Sequence, residues 1–198
     1  MKGLSLLELL LAMGITSILI LIIGSAYAIN LKIVSNQNAS ISVATQNQLG
    51  LDTIVNDIRE STGVSDTCCT VPGPEQSSNA SKIVLKIWPL DIITGESVEP
   101  PNTTETLYDH IVYEQDIINK TLVKKIIPCS IGCTSKRVLS TKIMASHLSL
   151  TSPLAFTYSP GTPYSAATQV TVTLTTTKNN LGKDFTVAQS AKALIRNK

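Results

Sequence analysis

Three groups of residues in this chain are reactive enough, and suitably placed, to suggest chemistry. Glu8 stands at the head of a run that contains no other charged side chain until Lys32. A carboxylate carried into a membrane within an apolar helix costs a few kcal/mol or more, so its presence there is a functional signal that asks for a partner. The second group is the cysteines, Cys68 beside Cys69 and Cys129 four residues before Cys133. Four thiolates in two pairs suffice for a tetrahedral zinc, but zinc ribbons favour a C-x2-C spacing that neither pair has. In a domain carried across a membrane an even cysteine count reads as disulfides, here two bridges. Of the three possible pairings, closure of adjacent Cys68 and Cys69 is strained, which favours bridges between the two groups that tie the post-helix loop to the segment from Pro128 to Cys133. The third group is His110 and His147, the only histidines, with Asp109 directly before His110. A lone histidine at a strand start reads as structural. No G-x-S-x-G, H-E-x-x-H, phosphate-loop or dinucleotide pattern occurs, and the acidic residues from Asp91 to Asp116 lack calcium-loop spacing. The expectation is a protein that is not an enzyme, with no catalytic residue, metal site or cofactor.

The framework that holds these groups can be read from composition and periodicity. The chain has 198 residues, 43% hydrophobic, 15% charged and 4% aromatic, with a formal net charge of +2. That low, balanced charge and the scarcity of aromatic side chains argue against nucleic-acid partners. The mean hydropathy of +0.21 is concentrated in one place. Leu9 to Ile29 is apolar throughout, and 21 residues at helical rise span roughly 32 Å, the thickness of a bilayer core of ~30 Å. The run is longer than the apolar stretch of a cleaved signal peptide. With no proline before Pro72, the helix is expected to continue to about Glu60. Val34, Ile41, Ala44, Leu51, Val55 and Ile58 recur at three, four and seven residues and predict one apolar face, and Gly63 is a candidate C-terminal cap. Gly14 and Gly24 read as small residues at helix–helix contacts; a sharper expectation places local melting at Gly24.

Pro72-Gly73-Pro74 marks Val64 to Ser81 as a loop. Short segments rich in Val, Ile, Thr and Tyr then predict strands at 82–88, 107–114, 121–127, 137–150, 155–158, 168–177 and 185–196. Asn179-Asn180-Leu181-Gly182 reads as the hairpin turn before the last strand. One long helix followed by antiparallel strands predicts an α+β fold.

The N-terminal stretch Lys2-Gly3-Leu4-Ser5-Leu6-Leu7-Glu8-Leu9 resembles the prepilin leader of type IV pilins and type II secretion pseudopilins. In that family a prepilin peptidase cuts after a glycine, and a glutamate lies five residues beyond it. Gly3 and Glu8 fit the spacing, Lys2 supplies the basic leader charge, and Leu4 stands where most members carry Phe. The resemblance is firm over the N-terminal helix. A looser pattern at the end, Val170 to Leu174, a polar turn, then Ala193-Leu194-Ile195-Arg196-Asn197, is similar to W-type minor pilins and J-type minor pseudopilins.

The resemblance implies a pilin-like fold, a long helix packed on an antiparallel sheet. It divides the chain into a leader at 1–3, a membrane and filament-core helix at 4–30, its amphipathic continuation at 31–62 and a β-rich domain at 63–198. It implies cleavage between Gly3 and Leu4, methylation of the new amine of Leu4, and pairing of Glu8 with the N-terminal amine of a neighbouring subunit. The implied partners are the prepilin peptidase, other pilin or pseudopilin subunits, the inner-membrane assembly platform and the membrane itself. The implied location is a single pass through the inner membrane with the C-terminal domain outside the cytoplasm, and later the filament. The expected function is a minor pilin or pseudopilin of a type IV pilus or type II secretion pseudopilus, placed at the tip as an initiator. The alternative is a membrane-anchored or pilus-tip adhesin with a disulfide-bonded β domain.

Overall fold

A computed structural model of the chain describes residues 6–69, 75–101, 104–129 and 135–196. Its first element is a single helix, α1, Leu6–Glu60, of 55 residues, roughly 82 Å long at 1.5 Å per residue. It runs unbroken through Gly14 and Gly24, where an added Cβ would meet nothing within 4 Å. It ends where Ser61 takes over the last carbonyls: its N–H donates to the Asp57 oxygen at 2.9 Å and its hydroxyl donates to the Ile58 oxygen at 2.7 Å. Gly63 is not the cap. It opens β1, Gly63–Val64, because a serine hydroxyl two residues earlier already satisfies the helix end.

Two further short strands come next, β2, Thr67–Cys68, and β3, Gln76–Ser77, which pair with each other. The segment expected to be a plain loop therefore contains two two-residue strands and the second residue of β1. The rest are β4, Lys82–Ile87; β5, Asp109–Asp116; β6, Thr121–Ile127; β7, Ser140–Ala145; β8, Leu154–Ser159; β9, Gln169–Asn180; and β10, Lys183–Leu194. All pairings between named strands are antiparallel, in a five-stranded sheet ordered β1-β4-β5-β6-β7, a three-stranded sheet β10-β9-β8 and the β2-β3 ribbon. The architecture is α+β, as expected.

The strand expected over 137–150 is shorter, because His147 takes a left-handed φ of 62° and turns the chain out of β7. Leu148 then bridges to Thr176 in the other sheet, so this segment links the two sheets. The β9–β10 hairpin closes where expected. Asn180 pairs with Lys183, and the two turn residues Leu181 and Gly182 have φ of 50° and 77°, the positive values a two-residue turn between right-twisted strands requires.

The main core lies between the C-terminal part of α1 and the two sheets. Leu51, Ile54 and Ile58 of the helix meet Ile83 and Leu85 of β4, Tyr113 of β5, Leu122 of β6 and the inner residues Val170, Val172 and Leu174 of β9. Alternation along β9 is strict, every second residue from Val170 to Thr176 being buried, as period-two geometry demands of a strand with one covered face.

The opposite face of the five-stranded sheet carries a charged cluster. Glu114 accepts from Lys82 at 2.7 Å and also from Lys125. Burial works to raise the Glu114 pKa, but the hydrogen bonds and charges of Lys125 and Lys82 outweigh it and hold the carboxyl below its ordinary value. A folded-state pKa below the unfolded one contributes stability that is present above the ordinary glutamate range and lost as pH falls through the lowered folded value. Glu114→Gln should therefore cost about 0.5–1 kcal/mol at pH 7 for this solvent-screened cluster. The stability gap between the two proteins should narrow as pH falls below the ordinary glutamate range; a deficit that stays unchanged throughout an acid titration would contradict this assignment.

Candidate functional site

The candidate functional element is the N-terminal part of α1. Every described residue from Leu6 to Val34 is exposed, and the stretch from Leu9 to Ile29 turns apolar side chains to every side, with Ile18 at 59%, Leu21 at 73% and Ile23 at 67% exposure. Its most apolar window has a mean hydropathy of 2.6 and no buried residue. Its three aliphatic hydroxyls are satisfied by the helix itself. Thr16 Oγ1 donates to the Ala12 oxygen at 2.9 Å, Ser17 Oγ to that of Met13 at 2.8 Å and Ser25 Oγ to that of Ile22 at 2.9 Å. Serine and threonine hydroxyls turned back onto the helix carbonyls suit a medium without water. Its length and composition are compatible with one membrane span.

The other part of the helix anchors this projection. The first grip is at the hairpin end, where Asn180 Nδ2 donates to Ser35 Oγ and to Asn36 Oδ1, both at 3.0 Å. From there the buried residues are Ala39, Val43, Asn47, Gly50, Leu51, Ile54, Val55 and Ile58. Leu51, Val55 and Ile58 lie on this face, in agreement with the sequence periodicity. Val34 and Ile41 instead point outward, at 52% and 63% exposure, because the true stripe passes through Asn47 and Gly50.

Both of those residues are built into the contact. Asn47 is fully buried and its amide donates to the Leu174 oxygen at 2.7 Å, the Val187 oxygen at 3.0 Å and Thr176 Oγ1 at 3.2 Å. It thereby ties the helix to β9 and β10, and a buried amide left without such partners would cost about 1–3 kcal/mol. At Gly50 a Cβ would lie 3.0 Å from Leu174 Cδ2, 3.1 Å from Ala145 Cβ and 3.3 Å from Leu122 Cδ2. Nothing larger than hydrogen fits there without displacement. Near the helix end, Asp57 accepts from Lys124 Nζ at 2.5 Å and from the Tyr113 hydroxyl. Burial, then the Asp57 charge, pushes the Tyr113 phenol pKa far up, so it remains a donor.

Of the residues expected from sequence to matter, Gly3 and Leu4 lie outside the described residues, as does Cys133. Glu8 sits in the first turn of α1 and is exposed. Cys68 and Cys69 form a disulfide with each other, their Cα atoms 3.7 Å apart. This overturns the expectation of bridges between the two cysteine groups. The residue pair sits at the end of β2, with Cys69 at a left-handed φ of 61°, and folds over Val84, Val112 and Ile127 on the outer face of the five-stranded sheet. Cys129 is also disulfide-bonded, and its N–H donates to Asp109 Oδ1 at 2.8 Å.

Asp109 is fully buried and also accepts from Ser135 Oγ at 2.6 Å and Arg137 at 2.7 Å, while Arg137 donates to the Trp88 oxygen at 2.5 Å. The carboxylate thus holds both ends of the segment around the second cysteine group. His110, the next strand residue, projects to the other face and sits beside Cys68 and Cys69, so Asp109 and His110 do not form a catalytic pair. His147 is a turn residue whose oxygen accepts from Thr177 N–H at 2.6 Å. Sequence reasoning missed an open pocket of about 440 Å³ at the helix end, lined among others by Trp88, Arg59, Arg137 and Arg196; its parts are scattered along the chain, and no spacing announces them.

These features define an α+β protein in which a long helix, anchored along its C-terminal part by two antiparallel sheets, presents an exposed and predominantly apolar N-terminal part. No family model matches the chain, and no curated protein or solved structure matches it either.

Proposed function

We propose that the chain is a filament subunit of the type IV pilin and type II secretion pseudopilin class, cut between Gly3 and Leu4 and packed through its N-terminal helix against copies of related helices. The observation that carries this reading is the helix from Leu6 to Val34, exposed at every position and free of charge from Leu9 to Leu31, on a domain that grips the helix only beyond Val34. A soluble monomer rarely exposes a contiguous apolar patch beyond a few hundred Å², so this segment needs a bilayer before assembly and neighbouring helices after it. The resemblance of Lys2 to Leu9 to a prepilin leader supports the same conclusion, and the long helix on antiparallel sheets is compatible with a pilin-like fold. The role is that of a minor subunit, at the tip as an initiator.

In that setting Glu8 pairs with the amine of Leu4 in a neighbour, because an uncompensated carboxylate among apolar helices is costly. Glu8→Ala should enter the membrane at the wild-type level but appear in sheared filaments ~10-fold less, the effect of about 1.4 kcal/mol of lost pairing. Equal incorporation of wild type and variant, measured by quantitative immunoblot of the filament and membrane fractions, would remove Glu8 from assembly. The second reading, an anchored or tip-borne adhesin, draws on the pocket beside Trp88. Deleting the subunit separates the two: lost filaments mark an initiator, and normal filaments with lost adhesion mark an adhesin.

A further inference from the structure

The Cys68 and Cys69 sulfurs and a ring nitrogen of His110 all lie within 4.8 Å of one another. Cys68 and His110 are 6% and 3% exposed, while Cys69 is only half-buried and faces the approach from solvent. The walls are Val84, Val112 and Ile127. The three donors come from two elements that hold each other in place. Ser65 N–H donates to the Val84 oxygen at 2.8 Å, Ser78 N–H to the Asp66 oxygen at 3.0 Å, and Ser78 Oγ accepts from Val84 N–H at 3.0 Å. The β2–β3 ribbon is thereby fastened over β4 and beside β5, which carries His110. The filament reading uses none of these three side chains.

Two thiolates and one imidazole are a donor set for a borderline-soft divalent cation, with a fourth position left for water. Tetrahedral zinc with Zn–S bonds of 2.3 Å separates its two sulfurs by roughly 3.8 Å, a spacing that adjacent cysteines reach once their bond is broken. Two thiolate charges cancel the charge of the cation, so the occupied site would be neutral within apolar walls. The oxidised pair, by contrast, has no thiolate to offer.

We propose that Cys68, Cys69 and His110 form a redox-gated site that binds one zinc-class divalent cation only after the Cys68–Cys69 disulfide is reduced. A dithiol reductant gives two electrons and two protons: its own sulfurs join, the Cys68–Cys69 bond breaks, and two cysteine thiols form. Cation binding then releases both thiol protons to solvent as the two Zn–S bonds form. This site is independent of the filament reading and stands or falls separately.

The test is zinc titration of the full chain in detergent, after reduction with a phosphine and in its oxidised form, in a Cys129→Ser, Cys133→Ser background that removes the other thiols. The reduced chain should bind one equivalent at least ~100-fold more tightly than the oxidised chain. Cobalt(II) in place of zinc should show a thiolate charge-transfer band. Cys69→Ser, at the half-buried position, should abolish that tight binding, and His110→Gln should weaken it by tenfold or more, the low end of losses seen even for outer-shell partners. Circular dichroism melts without metal identify variants that have kept the fold. Absence of stoichiometric zinc in the reduced chain, equal binding by both redox forms, or unchanged affinity in folded His110→Gln would overturn the proposal.

Discussion

Replacing Ile15, Ile18 and Ile22 by lysine should move the chain from the membrane fraction to the soluble fraction. Each substitution exchanges an apolar side chain for an ammonium near the middle of the span, at about 3 kcal/mol apiece. The three together cost about 9 kcal/mol, some six powers of ten in partition. All three positions are exposed and beyond the reach of the β-rich part, so its thermal melt should not move. Carbonate extraction and immunoblotting give the partition, and circular dichroism gives the melt. Retention in the membrane pellet would refute the role assigned to this segment. A lowered melting temperature would instead show that it packs on the domain.

The second large effect belongs to Gly50. Leucine there must place its side chain where Leu174, Ala145 and Leu122 already lie within 3.0–3.3 Å of a bare Cβ. Overpacking of a filled core costs 1–3 kcal/mol and sometimes more, and at a helix–sheet seam with three fixed neighbours about 3 kcal/mol is expected. For a chain of this size that corresponds to a fall of roughly 6–12 °C in melting temperature. The replacement raises intrinsic helix propensity, by about 0.8 kcal/mol over glycine, so a destabilised variant locates the damage in the contact and not in the helix. A melting temperature within about 2 °C of wild type, below the smallest shift expected from that cost, would mean that the helix is not seated as described.

The same residue explains why the anchoring face is only partly legible in the sequence. Leu51, Val55 and Ile58 repeat at helical spacing and declare themselves. Asn47 and Gly50 do not, since one is polar and the other has no side chain. Extending the stripe through apolar residues alone leads to Ile41 and Val34, which point outward. The polar position is buried because β9 and β10 bring the Leu174 and Val187 carbonyls and the Thr176 hydroxyl within reach of one amide, a coincidence of residues more than 120 positions away.

The seven main strands are visible in the sequence because each is six residues or longer and carries β-branched side chains, and β9 alternates without a fault. The two-residue strands β1, β2 and β3 are too short for any period. The 137–150 segment looks like one strand because its composition is uniform; the break at His147 is a backbone conformation that composition does not encode. The cysteine pairing is hidden for a related reason. Whether two groups 60 residues apart can meet depends on the sheet between them, and here β2 lays Cys68 and Cys69 over the outer face while Asp109 and Arg137 hold the other segment in place from the opposite side of β5. Glu8 and the apolar run are legible from the start, since an isolated charge in such a run is informative without any tertiary structure.

A filament role requires that the N-terminal helix be released from a short leader and then used for packing. Intact mass and N-terminal sequencing of the chain recovered from membranes that contain a prepilin peptidase test this most directly. The expected product is a chain that starts at Leu4, and a chain that keeps Met1 when Gly3 is replaced by valine. Recovery of the wild-type chain with Met1 still in place, or cut beyond the apolar run near Ala28, would contradict the filament role.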